Sequence, residues 1–270
     1  MNRKKVLLGM SGGTDSSVAA ILLQEQGYDV AGITFRFYEI EGNTAYLSES
    51  AELADRLGIP HYICDVRKEF EKNIVTYFIN EYMSGRTPVP CIVCNNTFKW
   101  PLMAKVADEQ GIRHIATGHY VRLMETGGHS YLQSGVDPDK DQSFFLWGLP
   151  EILIKRMILP LGTLTKTEVR EIARQRGFFQ IAARKDSLGV CFCPGDYRSF
   201  LKKRLGESVF SEGFYAIIKK TLWNGVPFCR SHIEKKKRRG TNGMEDPIVC
   251  PAEGTAGHPG RPVQIPDERL

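Results

Sequence analysis

The chain has 270 residues, enough for one sizeable domain plus a smaller unit and too many for a small module held together by disulfides. Apolar residues make up 42% and charged residues 25%, so the chain can bury a core and is neither fibrous nor disordered throughout. The net charge of +5 is mild, which permits an acidic partner such as nucleic acid without requiring one.

The first 155 residues alternate short apolar runs with stretches of helical periodicity. This alternation predicts an α/β fold in which a parallel sheet carries helices on both faces and binds its ligand at the carboxyl ends of the strands. The predicted strands are residues 4–10, 30–37, 61–66 and 112–117, and the predicted helices are residues 16–24, 44–57, 69–82 and 98–109.

Beyond residue 155 the pattern predicts a small helical unit, residues 156–206. A capped amphipathic helix is expected at 165–176, closed by Gly177, and another at 196–205, closed by Gly206. Residues 207–270 combine a basic run with a segment rich in Gly and Pro, which predicts a poorly ordered tail.

The strongest functional signal is SGGTDSS, residues 11–17, between the first predicted strand and helix. Gly12 and Gly13 can adopt positive φ, the serines offer hydroxyls, and the helix directs its positive end at an anion. These features predict a cradle for phosphate or pyrophosphate. The loop has neither the lysine of GxxxxGK[ST] nor the spacing of GxGxxG. A glycine-rich turn with a good helix cap is the purely structural alternative.

The loop resembles the pyrophosphate loop (PP-loop) of the N-type ATP pyrophosphatases, and later motifs narrow this resemblance. From about Val6 to Leu205 the chain closely resembles the MnmA family of tRNA-specific 2-thiouridylases. The motifs that carry the resemblance are GRTPVPCIVCN at 85–95, ATGHY at 116–120, KDQSFFL at 140–146 and DSLGVCF at 186–192.

The resemblance implies an adenine nucleotide alpha hydrolase-like fold and 2-thiolation of the wobble uridine of tRNA. ATP with Mg²⁺ would adenylate the C2 oxygen, and a cysteine persulfide would supply the sulfur that replaces it. The implied partners are tRNA and a sulfur donor, either a cysteine desulfurase or a sulfur-relay protein. Residues 1–155 would be the catalytic domain and 156–206 a tRNA-binding unit, while 207–270 would be a remnant of the β-domains of the family.

The resemblance also implies roles for individual residues. The ATP site would be lined by Gly9, Met10, Ser11, Gly12, Gly13, Thr14, Asp15, Ser16, Phe35 and Gly118, with Asp15 helping to hold Mg²⁺. The target base would meet Val89, Pro90 and Cys91, and the tRNA would meet His119, Lys140, Asp141 and Gln142. The catalytic thiols would be those of Cys191, the persulfide carrier, and Cys94, the nucleophile that leaves a disulfide with Cys191.

Three residues and the carboxyl-terminal segment depart from the family pattern. Phe35 stands where the family has methionine, which keeps an apolar contact for adenine, and Val89 stands where it has asparagine near the target base. Cys91 stands where many members have aspartate. The β-domain motif of the family has only a faint echo at residues 225–240. The basic run there is either a phosphate-binding arm or a solvated, degenerate end.

The cysteines allow several interpretations. No secretory signal or membrane-spanning run is present, so we expect a protein with no membrane partner in the cytoplasm, where thiols stay reduced. We also expect a monomer. CxxC at 91–94, which we expect in a Pro-rich loop, and CxC at 191–193 suit persulfide chemistry, which we favour, but also an iron–sulfur cluster or zinc. We expect lowered thiol pKa values at Cys94 and Cys191. Packing as small hydrophobic residues is the alternative for Cys91 and Cys193, and the first choice for Cys64, Cys229 and Cys250.

Two other classes of function compete with an intact thiouridylase. A chain without the β-domains is a candidate for a catalytically degenerate, tRNA-binding remnant. A pyrophosphatase-type amide ligase acting on a small molecule is the third class, but amide formation has no use for a pair of thiols.

Overall fold

The computed structural model describes residues 4–40, 42–184, 189–193 and 195–206. The predicted tail at 207–270, with Cys229 and Cys250, lies outside the described residues, as do Asp186 and Leu188 of the last motif. Within the described part of the chain, no helix is long and apolar enough to cross a membrane.

A parallel five-stranded sheet confirms the predicted fold class. Its strand order is β3-β2-β1-β4-β7, and an antiparallel hairpin, β5-β6, stands apart from it. The strands are β1 (Lys5–Gly9), β2 (Asp29–Arg36), β3 (His61–Asp65), β4 (His114–Ala116), β5 (Val121–Thr126), β6 (His129–Ser134) and β7 (Met157–Ile158).

Each of the six predicted helices has a counterpart in the same order, and the structure adds short helices that the sequence pattern does not predict. The helices are α1 (Thr14–Glu25), α2 (Ala45–Leu57), α3 (Arg67–Phe70), α4 (Thr76–Met83), α5 (Pro90–Val93), α6 (Trp100–Glu109), α7 (Glu151–Ile154), α8 (Lys166–Gln175), α9 (Phe179–Ala182) and α10 (Tyr197–Leu205). Short π-helical turns, Glu71–Val75 and Cys94–Lys99, join α3 to α4 and α5 to α6, and Ser143–Phe145 forms a 3₁₀ turn.

The sheet separates two hydrophobic cores. Neighbouring residues of a strand point to opposite faces, so Val6 and Leu8 pack in one core with α1 and α8, while Leu7 packs in the other with α6. All three side chains are fully buried. Continuous apolar strands of this kind need cover on both faces, and the helices provide it.

Two sequence-based expectations are incomplete or wrong. The hairpin β5-β6 was not predicted, although two glycines at 127–128 separate its strands, a spacing typical of hairpins. The CIVC motif was expected in a Pro-rich loop, but it forms α5 and the start of the following π-turn. Pro90 explains the difference, because its fixed φ suits the first residue of a helix.

The strand order places a ligand crevice next to β1. The chain runs from β1 outward to β2 and β3 on one side, while β4 and β7 extend the sheet on the other. A crevice therefore opens between the carboxyl ends of β1 and β4, where the strand order reverses. The phosphate loop follows β1, and the ATGHY motif ends just after β4.

The helical segment after the sheet packs against α1. Val169 and Ala173 of α8 are fully buried in the core that contains Val18 and Leu23 of α1. A capping box begins α8: the Thr165 side chain accepts from the Glu168 N–H, and the Glu168 carboxylate accepts from the Thr165 N–H. The last strand, β7, also lies beyond residue 155, and the division at 155/156 stays a prediction.

We predict that Gly162→Ala destabilises the fold strongly. A Cβ at Gly162 would lie 2.1 Å from the backbone oxygen of Val121 at the start of β5. Two backbones would have to separate, so we expect a cost of about 3 kcal/mol in urea unfolding. The control, Gly58→Ala, has open space and only an unfavourable φ, with an expected cost of about 1 kcal/mol. Equal costs for the two variants would contradict this packing.

Candidate functional site

The phosphate loop presents an uncapped helix end. Gly12 has a φ of +71°, and Gly13, the N-cap of α1, offers no side chain to the free N–H groups. The Ser16 hydroxyl donates to the Gly13 carbonyl at 3.1 Å, and the Ser11 N–H donates to the Ser16 hydroxyl at 3.3 Å. The loop thus offers backbone donors and hydroxyls at the positive end of α1, which suits a phosphate group.

Asp15, in the first turn of α1, is bonded by two residues distant in sequence. The Lys166 ammonium donates to Asp15 Oδ1 at 2.7 Å and to Oδ2 at 2.9 Å. The Tyr120 hydroxyl also donates to Oδ1, at 2.7 Å. The carboxylate is therefore held by a cation and a phenol at the start of α1.

Residues after α8 hold the loop from the other side. The Thr14 hydroxyl donates to the carbonyl of Ile181 in α9 at 2.6 Å. The Arg184 guanidinium donates to the Gly12 carbonyl at 3.1 Å and to Glu49 of α2 at 2.8 Å. The phosphate loop is thus bonded to a segment almost 170 residues later in the chain.

The segment that follows β4, residues 117–120, contacts both parts of the site. A Cβ at Gly118 would lie 2.8 Å from the backbone carbon of Asp15, so only glycine fits there. Tyr120 is bonded to the same aspartate, whereas Thr117 and His119 are hydrogen-bonded to each other. The even positions of this segment therefore meet the phosphate loop.

His119 faces the other core and a lysine. It is buried with its ring centroid 5.9 Å from that of Trp100, and Lys99 Nζ lies 3.4 Å from His119 Nε2. Burial, followed by the charge of Lys99, lowers the pKa of His119 well below its usual value. A neutral imidazole inside the protein is consequently a poor partner for the phosphates of tRNA.

Cys91 and Cys94 lie on α5 and the π-turn that follows it. Cys94 begins this turn and Lys99 ends it, so the wide π-turn brings the two residues toward the same face. Cys91 and Cys94 are half-buried. Neither residue lies in a loop free to rearrange, because the turn continues into α6.

Cys191 is presented by a tight turn anchored in an aromatic cluster. Val190 and Cys193 pair across the turn, and the Cys193 N–H donates to the Val190 carbonyl at 3.0 Å. Phe192 and Cys193 are buried, and the Phe192 ring lies 5.1 Å from that of Phe78, centroid to centroid. Cys191 is left exposed at the tip. The CxC spacing thus joins one accessible thiol to one that packs in a core.

The surroundings of the thiols raise their pKa values, which corrects the expectation of lowered ones. Desolvation raises the pKa of Cys94 to about 11, and the charge of Lys99 opposes this only in part. Desolvation also raises the pKa of Cys191 to about 12 although the residue reaches solvent, and the charges of Cys94 and Cys91 add to the increase. Desolvation lowers the pKa of Lys99. These mutual effects identify three thiols and one amine as neighbours.

The remaining sequence-predicted residues occupy varied positions. Val89 is exposed, and Pro90 after it is buried as the first residue of α5. Phe35, near the end of β2, is buried against Phe37, with ring centroids 5.4 Å apart. Cys64 packs beside Phe35 on the hydrophobic core that contains Leu7, which agrees with its interpretation as a small hydrophobic residue.

The Lys140–Gln142 segment is held by its own side chains. Asp141 accepts hydrogen bonds from the backbone of Gly135 at 2.9 Å and of Ser143 at 3.2 Å. The Gln142 side-chain oxygen accepts from the Tyr120 N–H at 3.1 Å. Asp141 and Gln142 therefore shape this loop beside Tyr120, and Lys140 is the member of the trio whose charge suits a phosphate.

Sequence reasoning missed three residues of the site: Tyr120, Lys99 and Lys166. Tyr120 lies inside a motif already singled out, and Lys99 follows Cys94 by five positions, so both had a signal. Lys166 had none, because its ion pair with Asp15 spans 151 positions. Within the described residues, no three Cys, His, Asp or Glu side chains converge to form a metal site.

Comparison with known proteins matches most of the chain. Residues 4–195 match the family model described as the tRNA methyl transferase HUP domain. A "tRNA-specific 2-thiouridylase MnmA 2" from Phocaeicola vulgatus is 62% identical over 212 residues, which cover 78% of this chain and 60% of that protein. The "tRNA-specific 2-thiouridylase MnmA" of Amoebophilus asiaticus is 39% identical over 283 residues, covering 92% of this chain and 75% of the relative.

Solved structures are similar at a much lower level. The U34-tRNA thiolase NcsA of Methanococcus maripaludis, with its 4Fe-4S cluster, has a TM-score of 0.46 and 18% identity, covering 85% of this chain and 76% of that one. The chain spans about 60% of the length of its relative from Phocaeicola vulgatus. The family match and the sequence identities, extending over the loop and both cysteine motifs, establish that the chain belongs to the MnmA family of tRNA-specific 2-thiouridylases.

Proposed function

We propose that this protein catalyses ATP-dependent 2-thiolation of the wobble uridine in tRNA. The observation that carries the proposal is the meeting of two sites at one segment, residues 117–120. Gly118 and Tyr120 contact Asp15 of the phosphate loop, and His119 contacts Lys99, the neighbour of the thiols. A reaction that activates an oxygen with ATP and replaces it with sulfur needs both sites next to one base.

The residues of the crevice fit ATP with its metal. The uncapped end of α1 and the hydroxyls of Ser11 and Ser16 would hold phosphate oxygens, and Asp15 supplies the oxygen ligand that Mg²⁺ prefers. Bound ATP would supply the electrophilic phosphorus that converts the C2 oxygen of uridine into a leaving group. The loop residues would stabilise the pyrophosphate that departs in this step.

The thiols would perform the sulfur transfer. A persulfide on Cys191 attacks C2 with its terminal sulfur, and AMP departs with the former C2 oxygen. The Cys94 thiolate then attacks the Cys191 sulfur, which forms the Cys94–Cys191 disulfide and leaves the terminal sulfur on C2 with the electron pair of the broken S–S bond. A cysteine desulfurase or a sulfur-relay protein would load Cys191, and an external thiol would reduce the disulfide.

Lys99 is suited to deprotonate Cys94. The charges of Cys94, Cys91 and Cys191 all act on the pKa of Lys99, and desolvation lowers that pKa while it raises that of Cys94. Desolvation disfavours both the thiolate and the ammonium, so the proton transfer costs more than the usual values of the two groups suggest, but the lowered pKa leaves more of the Lys99 amine neutral and able to accept the proton. The same transfer would produce a thiolate and an ammonium that stabilise each other in a desolvated place.

Pyrophosphate release tests the proposed function against a tRNA-binding remnant. We expect the protein to release pyrophosphate from ATP when unmodified tRNA is added, because adenylation needs the base and the loop together. Asp15→Asn should lose this release and still shift tRNA in a gel, since it removes a metal ligand and leaves the basic contacts. A wild-type protein that shifts tRNA without consuming ATP would identify a non-catalytic binding protein.

We predict that the thiols of the free protein react slowly. At pH 8 a pKa of about 11 leaves on the order of one Cys94 thiol in a thousand ionised. Alkylation of Cys94 by iodoacetamide should rise about tenfold per pH unit from pH 7 to 9, whereas the same peptide in urea-unfolded protein levels off near its ordinary pKa. Lys99→Met should slow the reaction further, because the Lys99 charge lowers the pKa of Cys94. A plateau for folded Cys94 below pH 9 would contradict this environment.

Single cysteine variants distinguish persulfide from iron–sulfur chemistry. Cys191→Ser and Cys94→Ser should abolish tRNA thiolation, while pyrophosphate release continues because adenylation comes first. Cys91→Ser should retain most thiolation, measured on a mercury-containing gel that retards thiolated tRNA. Cys193→Ala is the matched control, since that thiol packs in a core. Equal loss at Cys91, Cys94 and Cys191, with iron in the anaerobic protein, would replace this mechanism with the cluster alternative.

A further inference from the structure

Lys166 pairs with Asp15 at the position where a metal ligand is needed. Both carboxylate oxygens of Asp15 accept from the Lys166 ammonium, at 2.7 and 2.9 Å. The Lys166 side chain is 12% exposed and that of Asp15 is 36% exposed, so the lysine is the more deeply held partner. The proposed function gives this lysine no role so far.

The backbone fixes where the ammonium of Lys166 can reach. The Lys166 N–H donates to Asp137 Oδ2 at 2.8 Å, and the capping box of Thr165 and Glu168 surrounds this residue. From there the side chain extends along the ring of Tyr120, with Nζ 5.9 Å from the ring centroid. These backbone contacts do not depend on the ammonium, so a substitution at Lys166 leaves the start of α8 intact.

A metal ion and Lys166 compete for the same oxygens. Mg²⁺ binds its oxygen ligands at about 2.0–2.1 Å in near-octahedral geometry, which an ammonium bonded to both oxygens obstructs. The triphosphate also needs positive charge, because an unpaired Asp15 would repel it. One lysine can meet both demands if it leaves Asp15 when the metal arrives.

We propose that Lys166 is an exchangeable counter-ion of the phosphate loop. It neutralises Asp15 in the absence of nucleotide, yields the carboxylate to Mg²⁺, and then binds a phosphate oxygen of the Mg²⁺–nucleoside triphosphate. The proposal rests on the proposed function only in taking a nucleoside triphosphate as the ligand of the loop. Binding of the metal and binding of the triphosphate therefore depend on each other. The metal displaces Lys166 from Asp15, and the displaced ammonium supplies positive charge for the triphosphate.

Metal binding without nucleotide tests the first half of the exchange. Free Mn²⁺, counted by its electron paramagnetic resonance signal, serves as the probe. Lys166→Met should bind Mn²⁺ about fivefold more tightly than wild type, near the upper limit for a partly exposed ion pair. The double variant Asp15→Asn, Lys166→Met should lose this gain, and Lys155→Met, which removes a lysine paired with Glu151, should resemble wild type. Unchanged or weaker Mn²⁺ binding by Lys166→Met would overturn the proposal.

ATP binding tests the second half. At saturating Mg²⁺, calorimetry should show ATP bound about fivefold or more weakly by Lys166→Met and nearly normally by Lys166→Arg, which keeps the charge. Equal ATP affinity in wild type and Lys166→Met would overturn the proposal, as would a wild-type protein that binds no ATP. A protein that shows both binding effects but does not thiolate tRNA would leave the counter-ion in place and refute the proposed function.

Discussion

The close approach of Gly118 to Asp15 is the constraint on which the site depends. The segment after β4 runs directly along the first turn of α1, so close that no side chain fits between the two backbones. This close approach also positions the two residues that follow Gly118: the Tyr120 hydroxyl donates to Asp15, and His119 lies beside Lys99. A shift of this segment would move the phosphate loop and the amine near the thiols together, so the two halves of the chemistry share one mechanical support.

Protonated thiols have a second effect besides limiting attack. Oxidation of cysteine proceeds through the thiolate, so a raised pKa protects Cys94 and Cys191 between turnovers. Lys99 allows Cys94 to ionise within the site, because a neutral Lys99 amine can accept the proton of the thiol. The nucleophilic thiol is therefore protonated and unreactive between turnovers, whereas thiols activated at a helix end are permanently ionised.

The sequence predicts the frame of this protein better than its site. Strands such as β1 are continuous apolar runs, and the motif at residues 11–17 carries its function locally, so both could be recognised. The two glycines between the strands of the hairpin are a local signal that the predicted elements do not include, and Pro90 begins a helix where the pattern predicts a loop. The pair of Lys166 and Asp15, and the raised pKa of Cys94, depend on groups brought together by folding, and no local pattern encodes them.

The bonds from Ile181 and Arg184 to the phosphate loop also set the order in which the protein can mature. The loop is synthesised near the start of the chain, but the groups that hold Thr14 and Gly12 emerge about 170 residues later. At about 5–20 residues per second, a ribosome needs roughly ten seconds or more to cover that interval. A nascent chain therefore carries its loop without the support of α9 and Arg184 until the segment leading to Cys191 is being made. Contacts between residues so far apart in sequence also slow folding, because the chain loses the entropy of closing a long loop before the contacts can stabilise it.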